Sequence, residues 1–221
     1  MEQLEFYRDG ICRNTYLFLG ENAIRKELED MNDHLIIPGT RQDYVMLIKG
    51  GQGGSVCGYR NKYLNLANEI RDKYGIMVVS CATLDEPSLG KQANQVAEDV
   101  DLVNSCCESH PKILFMGMSK GASLGCIEGS KIPQISRLLL INPPLIINLP
   151  RICRAAKNYN GEMMTFVFGS EDPSIKESEL LKLYERDNMK VVTIPGQDHY
   201  LSKDGFNLMT LMEECLLFDL K

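Results

Sequence analysis

Short apolar runs recur along the chain, separated by longer segments of helical spacing. Residues 44–48 (YVMLI), 76–80 (IMVVS), 113–117 (ILFMG), 138–141 (LLLI), 164–168 (MTFVF) and 191–194 (VVTI) are each continuous rather than alternating. Runs of this length, bounded by glycine, proline, asparagine or aspartate, predict strands buried on both faces. Between them, Tyr63, Ala67, Ile70 and Tyr74 share a helical face, which predicts a helix over 61–74 ended by Gly75. Val96, Val100, Val103 and Cys107 mark a second helix, closed by Pro111. Further helices are expected after Gly121, from Pro150 within the connection 145–161, over 176–186, and over 205–218. The N-terminal segments 3–8 and 13–19 read as two strands around a turn at Asp9-Gly10, with a short strand at 35–37.

Strands alternating with helices imply an α/β protein with a mostly parallel sheet, helices on both faces, and an antiparallel N-terminal edge. Residues 1–221 fit one domain, with no internal repeat and no linker composition. In such sheets ligands bind at the carboxyl ends of the strands. The unusual sequences of this chain fall at those ends. They are the glycine loop 49–55 after the strand 44–48, Ser119 after 113–117, Asp172 after 164–168, and His199 after 191–194.

Around Ser119 the sequence is Gly117-Met118-Ser119-Lys120-Gly121, a Gly-x-Ser-x-Gly turn between a buried strand and a run of small residues. Such a turn lifts a serine hydroxyl clear of the sheet, and its glycines let strand and helix approach closely. Here the sequence resembles the α/β-hydrolase family, whose nucleophile elbow has this form. The resemblance extends over about residues 44–221 and implies the α/β-hydrolase fold. A serine hydroxyl is a weak nucleophile, so it needs a base and a group to orient that base. The family's chain order is serine, acid, histidine, and Ser119, Asp172 and His199 follow it. The resemblance therefore implies these three as catalytic residues. Glu171, next to Asp172, and Asp198, next to His199, are alternative acids. Asn142 stands where some relatives carry the acid but has no charge. The other two histidines, His34 in a polar stretch and His110 before Pro111, read as solvated surface residues.

Acyl transfer builds an oxyanion that needs preorganised donors. The resemblance implies the backbone N–H of Lys120, which follows the nucleophile, and that of Gly51 in the glycine loop, with Gln52 as the alternative to Gly51. The loop departs from the family pattern by carrying Lys49 where histidine is usual. It matches neither G-x-x-x-x-G-K-[ST] nor G-x-G-x-x-G, so a phosphate-binding role is not indicated.

Composition narrows the partners. A net charge of −6 disfavours nucleic acid. No apolar run approaches the length of a membrane span, and the opening MEQLEFYRDG has no signal core. Eight cysteines without C-x-x-C or zinc spacing read as reduced residues, several of them in the core, in a cytoplasmic setting. Neither a metal nor an organic cofactor is expected. The function expected is hydrolysis of a carboxylic ester or thioester of a small-molecule acyl substrate. The elbow followed by Leu138-Leu139-Leu140-Ile141-Asn142 is also similar to the acyl-CoA thioesterase and acyltransferase branch. An acyltransferase, or a binding module without chemistry, is the alternative. Only residues 143–163 are available for a lid, so an open, modest pocket is expected, bordered by this segment and the loop 82–90.

Overall fold

The computed structural model describes residues 2–8, 11–17, 34–84, 95–203 and 205–220, the first two stretches as backbone only. The expected turn at Asp9-Gly10, and most of the loop expected at 82–90, lie outside the described residues. The strands are β1 (Glu2–Arg8), β2 (Ile11–Leu17), β3 (His34–Ile37), β4 (Tyr44–Gln52), β5 (Met77–Thr83), β6 (Lys112–Met118), β7 (Ile135–Ile141), β8 (Met163–Gly169) and β9 (Met189–Ile194). They form one nine-stranded sheet in the order β1-β2-β3-β5-β4-β6-β7-β8-β9. From β5 to β9 all neighbours are parallel, whereas β3 pairs antiparallel with β5 and β1 antiparallel with β2. The antiparallel edge is therefore where the N-terminal pattern put it.

The helices are α1 (Lys62–Tyr74), α2 (Gln95–Ser105), α3 (Lys120–Ile127), α4 (Leu145–Asn158), α5 (Ile175–Lys182) and α6 (Leu208–Cys215). On one face, α1 and α6 pack on Met46, Ile48, Leu114, Met116, Leu139 and Val167. On the other, α2 to α5 pack on Val45, Leu47, Phe115, Leu138, Leu140 and Phe166. Successive residues of one strand thus feed opposite cores, which is why the strands read as unbroken apolar runs. Among the described residues, no helix is long and apolar enough to cross a membrane.

Three features depart from the sequence pattern. The connection after β7 becomes helical at Leu145, not at Pro150, and Pro150 lies inside α4. Leu145, Leu149, Ile152, Cys153 and Ala156 face the core at helical spacing, and burial of that stripe outweighs the missing proline N–H. Pro150 is on the exposed side, where water can satisfy the carbonyl one turn back. The second departure is β4, which does not stop at Ile48 but runs to Gln52. Lys49 stays paired with Gly117 of β6 and Cys81 of β5, and Gln52 pairs with Thr83 across an irregularity. Cys107, expected on the face of α2, lies beyond its end at Ser105, which comes six residues before Pro111, so the proline does not close the helix.

The order β5-β4-β6 places a reversal of direction at the centre of the sheet. The chain leaves β4 towards one edge through α1 and leaves β6 towards the other through α3. A crevice opens between two such diverging connections, outside the strand ends. The glycine loop and the Ser119 turn flank it.

Candidate active site

Ser119 joins β6 to α3 with φ 54° and ψ −121°, a conformation that a residue with a side chain seldom adopts. The turn is held open by packing on both sides. A Cβ on Gly117 would lie 2.7 Å from the Ala122 backbone, and one on Gly121 would collide with the carbonyls of Lys49 and Gly50. Backbone bonds Ser119 N to Ile141 O (2.8 Å) and Ser123 N to Ser119 O (3.1 Å) fix the residue between sheet and helix.

The imidazole of His199 meets this serine. Its Nε2 lies 3.0 Å from Ser119 Oγ, and its Nδ1 lies 2.5 Å from Asp172 Oδ2. The acid is buried and the imidazole partly exposed. The other carboxylate oxygen, Asp172 Oδ1, accepts from Ser174 N at 2.7 Å. Both oxygens are thus committed, which sets the carboxylate plane and holds the His199 Nδ1–H tautomer facing it. The two competing acids point elsewhere. Glu171 is exposed and pairs with Lys203. Asp198 accepts from Tyr200 N (3.0 Å), Ser202 N (3.1 Å) and Ser202 Oγ (2.9 Å). Burial works against the charged form of Asp198, but these hydrogen bonds outweigh it and its carboxyl sits below the usual range.

Asn142, at the end of β7, does not contribute an acid but braces the histidine loop. Its side-chain NH2 donates to His199 O (2.7 Å) and Asp198 O (3.2 Å), while its Oδ1 accepts from Gly169 N (2.9 Å). Gly169 completes this bracing, since a Cβ there would collide with the carbonyls of Gln197 and Asp198. Asn142 adopts φ 46°, a left-handed conformation that asparagine tolerates better than most residues.

Of the expected donors, Lys120 is the first residue of α3 and directly follows the nucleophile, so its backbone N–H belongs to the leading turn of that helix. Gly51 lies against the serine. A methyl group there would be 3.3 Å from Ser119 Cβ and 3.9 Å from Oγ. Thr83 Oγ1 donates to Gly50 O at 2.6 Å and pins the loop.

Beneath that loop the structure corrects the reading of His34. It is not solvated but buried in β3, with Nε2 3.4 Å from Asp99 Oδ1. The other Asp99 oxygen takes the fully buried Lys49 ammonium at 2.5 Å, and Lys49 also donates to Ala82 O at 3.2 Å. Burial would raise the Asp99 pKa, but the Lys49 charge and the His34 contact overcome it and hold it at about 2. His34, Cys81 and Asp99 bring three potential metal-ligand atoms within 4.8 Å of one another. The Lys49 ammonium already provides the cation that this carboxylate faces. His110 is exposed, as expected, and bonds Asn104.

A cavity of about 180 Å³ opens beside the elbow, lined by Lys62, Met118, Ile141, Tyr200, Leu201, Phe206 and Leu208. It is not bordered by residues 143–163, as the sequence suggested. That segment meets the acid loop instead, through Leu145 N to Ser174 Oγ (3.2 Å), and leaves Ile146 and Ile147 exposed. A larger groove of about 750 Å³ runs past Ile132, Arg154 and Tyr159 at the opposite, amino end of β7, and none of Ser119, Asp172 and His199 lines it.

Similar folds occur among solved structures. Est1E from Butyrivibrio proteoclasticus superposes with a TM-score of 0.71 at 14% identity, over 96% of this chain and 94% of that one. The chain adopts the α/β-hydrolase fold. Dienelactone hydrolase from Anabaena variabilis shares the fold with a TM-score of 0.68 at 17% identity, over 84% and 91% of the two chains. An alpha-beta serine hydrolase homologue from Coxiella burnetii does so at 0.62 and 13%, over 90% and 89%. No family model matches the sequence, and no curated protein matches it. The likeness to the α/β-hydrolase fold is thus one of architecture at low identity.

Proposed function

We propose that the protein is a serine hydrolase that cleaves a carboxylic ester or thioester through an acyl-enzyme. The observation that carries this reading is the continuous chain Ser119 Oγ to His199 Nε2 (3.0 Å) and His199 Nδ1 to Asp172 Oδ2 (2.5 Å). It sits at the strand ends where this fold takes ligands. Ser119 Oγ attacks the acyl carbon as its proton passes to Nε2. The imidazolium then gives that proton to the departing alcohol or thiol. Water repeats the sequence in reverse and releases the carboxylic acid. Asp172 holds the imidazole and stabilises its charged form. The backbone amides of Lys120 and Gly51 are assigned to the oxyanion. Buried cysteines such as Cys126 and Cys215, in a chain without C-x-x-C spacing, favour a reducing, cytoplasmic setting.

A fluorophosphonate probe tests the reading directly. The wild-type protein should be labelled at Ser119 and should turn over an activated nitrophenyl ester. A folded Ser119→Ala variant should take no label and lose several powers of ten in turnover. Full turnover by that variant would remove the serine mechanism.

A further inference from the structure

The described non-glycine residues with positive φ are Arg60, Asn61, Ser119, Asn142 and Leu201. Such conformations carry strain of roughly 1–3 kcal/mol each and persist where the surroundings hold them. Here they are not scattered. Asn61 precedes Lys62, Ser119 follows Met118, Asn142 follows Ile141, and Leu201 follows Tyr200. All four of those partners line the 180 Å³ cavity, as does Leu201 itself. Four of the five strained residues thus adjoin or form its wall.

The cavity wall is mainly apolar. Met118, Ile141, Leu201, Phe206 and Leu208 supply hydrocarbon and thioether surface, Tyr200 borders it with a polar-tipped ring, and Lys62 is the one charged residue among its described lining. Its contacts are Met118 Sδ at 3.3 Å, Tyr200 O at 3.4 Å and the face of the Tyr63 ring, 5.2 Å from Nζ to the centroid, none of them an anion. Among the described residues no carboxylate forms an ion pair with it. Asp198, the acid whose charge reaches it, is taken up by Tyr200 and Ser202. Burial lowers the Lys62 pKa below the ordinary lysine value, the expected response of a cation held in poor surroundings. A lysine stem would normally carry its head into water. Here the head is retained beside Met118 and Tyr200, the neighbours in sequence of Ser119 and His199.

We infer that this cavity selects the substrate: it takes a short apolar arm of the ester that ends in a carboxylate, and Lys62 pairs with that carboxylate. The arm is short because about 180 Å³ is close to the ~150 Å³ that accepts one benzene, and below the 300 Å³ or more of a drug-sized pocket. A carboxylate fits because it supplies the charge partner that the ammonium lacks and leaves the apolar wall to the methylenes. Overall the protein carries −6, so attraction of an anion must be local. The inference rests on the serine-hydrolase reading for its turnover arm, but not for its binding arm.

Two matched pairs of esters test it. In the first the arm is on the acyl side: the nitrophenyl hemiester of glutarate against nitrophenyl pentanoate. In the second it is on the alcohol side: acetoxypentanoate against pentyl acetate. In each case water adds across the ester bond and releases acid and alcohol. The wild-type protein should prefer the carboxylated member of one pair by about tenfold or more in kcat/KM, the scale of a charge-assisted hydrogen bond. In Lys62→Met that ratio should fall to about one, and in Lys62→Gln to an intermediate or similar value. Ratios near one in the wild-type protein for both pairs, or a ratio unchanged in both variants, would overturn the inference. Calorimetric titration of glutarate into Ser119→Ala, and into Ser119→Ala with Lys62→Met, reads binding without chemistry. Lys62-dependent binding without any ester turnover would keep the inference and remove the hydrolase reading. Equal turnover of both members with no glutarate binding would do the reverse.

Discussion

The side-chain amide of Asn142 donates to the backbone carbonyl of His199 at 2.7 Å, tying the end of β7 to the loop that carries the imidazole. The same side chain accepts from Gly169 N, so one residue links β7, β8 and the histidine loop. Replacing it with aspartate is nearly isosteric but turns the donor into an anion facing two carbonyl oxygens. We expect Asn142→Asp to fold and to lower kcat on an activated ester by about ten- to a hundredfold, the range seen when a supporting hydrogen bond misplaces a reacting group. KM should change less. Unchanged kcat in a folded Asn142→Asp protein would show that the loop is held by other means, Gly169 packing included.

The acid assignment has a sharper test. Asp172→Asn, Glu171→Gln and Asp198→Asn are similar changes at neighbouring positions. Only Asp172 touches the imidazole, whereas Glu171 pairs with Lys203 and Asp198 caps the loop after it. Asp172→Asn should lose up to about four powers of ten in kcat, the loss recorded for the corresponding change in a serine triad. Glu171→Gln should stay within about twofold of wild type, since exposed ion pairs contribute little. Asp198→Asn should show a smaller loss than Asp172→Asn, through a looser histidine loop. A collapse confined to Glu171→Gln or Asp198→Asn would move the acid.

Much of this was legible in the sequence because it is local. Continuous apolar runs marked β4 to β9, and the chemistry-bearing residues followed them directly. What was not legible depends on partners far along the chain. Lys49 looked like the end of a strand because lysine rarely sits in a buried one. Asp99, fifty residues on, is what keeps it there. His34 reads as solvated for the same reason, since its carboxylate partner, Asp99, is sixty-five residues away in the chain. Pro150 suggests a helix start because proline favours that position, but the apolar stripe that begins at Leu145 decides where α4 starts. The bracing by Asn142 left one faint trace, an uncharged residue at a strand end where an acid is the alternative.

The cavity sets an expectation for neutral esters as well. At about 180 Å³ it cannot hold a long chain. Along a series of nitrophenyl esters, kcat/KM should rise to about four to six acyl carbons and then stop rising, since each further methylene left outside forgoes about 0.8 kcal/mol of burial. Rates that keep rising to twelve carbons would point to the exposed Ile146 and Ile147 of α4 as the acyl surface.

The buried pair under the glycine loop should make stability acid-sensitive. The Asp99 carboxyl faces Lys49 and His34, with Cys81 beside them, and all four are buried. Its folded pKa, about 2, lies below the ordinary 3.8, because the Lys49 charge and the His34 contact outweigh the burial that opposes them. A lowered carboxyl pKa contributes stability that is complete above the unfolded value and is lost as pH falls through the folded one. The loss should therefore run from about pH 4 down to about pH 2 and be on the order of 2 kcal/mol. Removing one partner is a different perturbation. Asp99→Asn leaves the Lys49 ammonium buried without its counter-charge and should cost about 3–5 kcal/mol at neutral pH. Removing both charges, as in Lys49→Met with Asp99→Leu, should cost less than that and should flatten the acid limb. Urea unfolding at several pH values between 2 and 7 compares the three proteins. If the double variant loses stability between pH 4 and 2 as steeply as the wild type, the acid sensitivity belongs to other carboxylates and the pair is not its source.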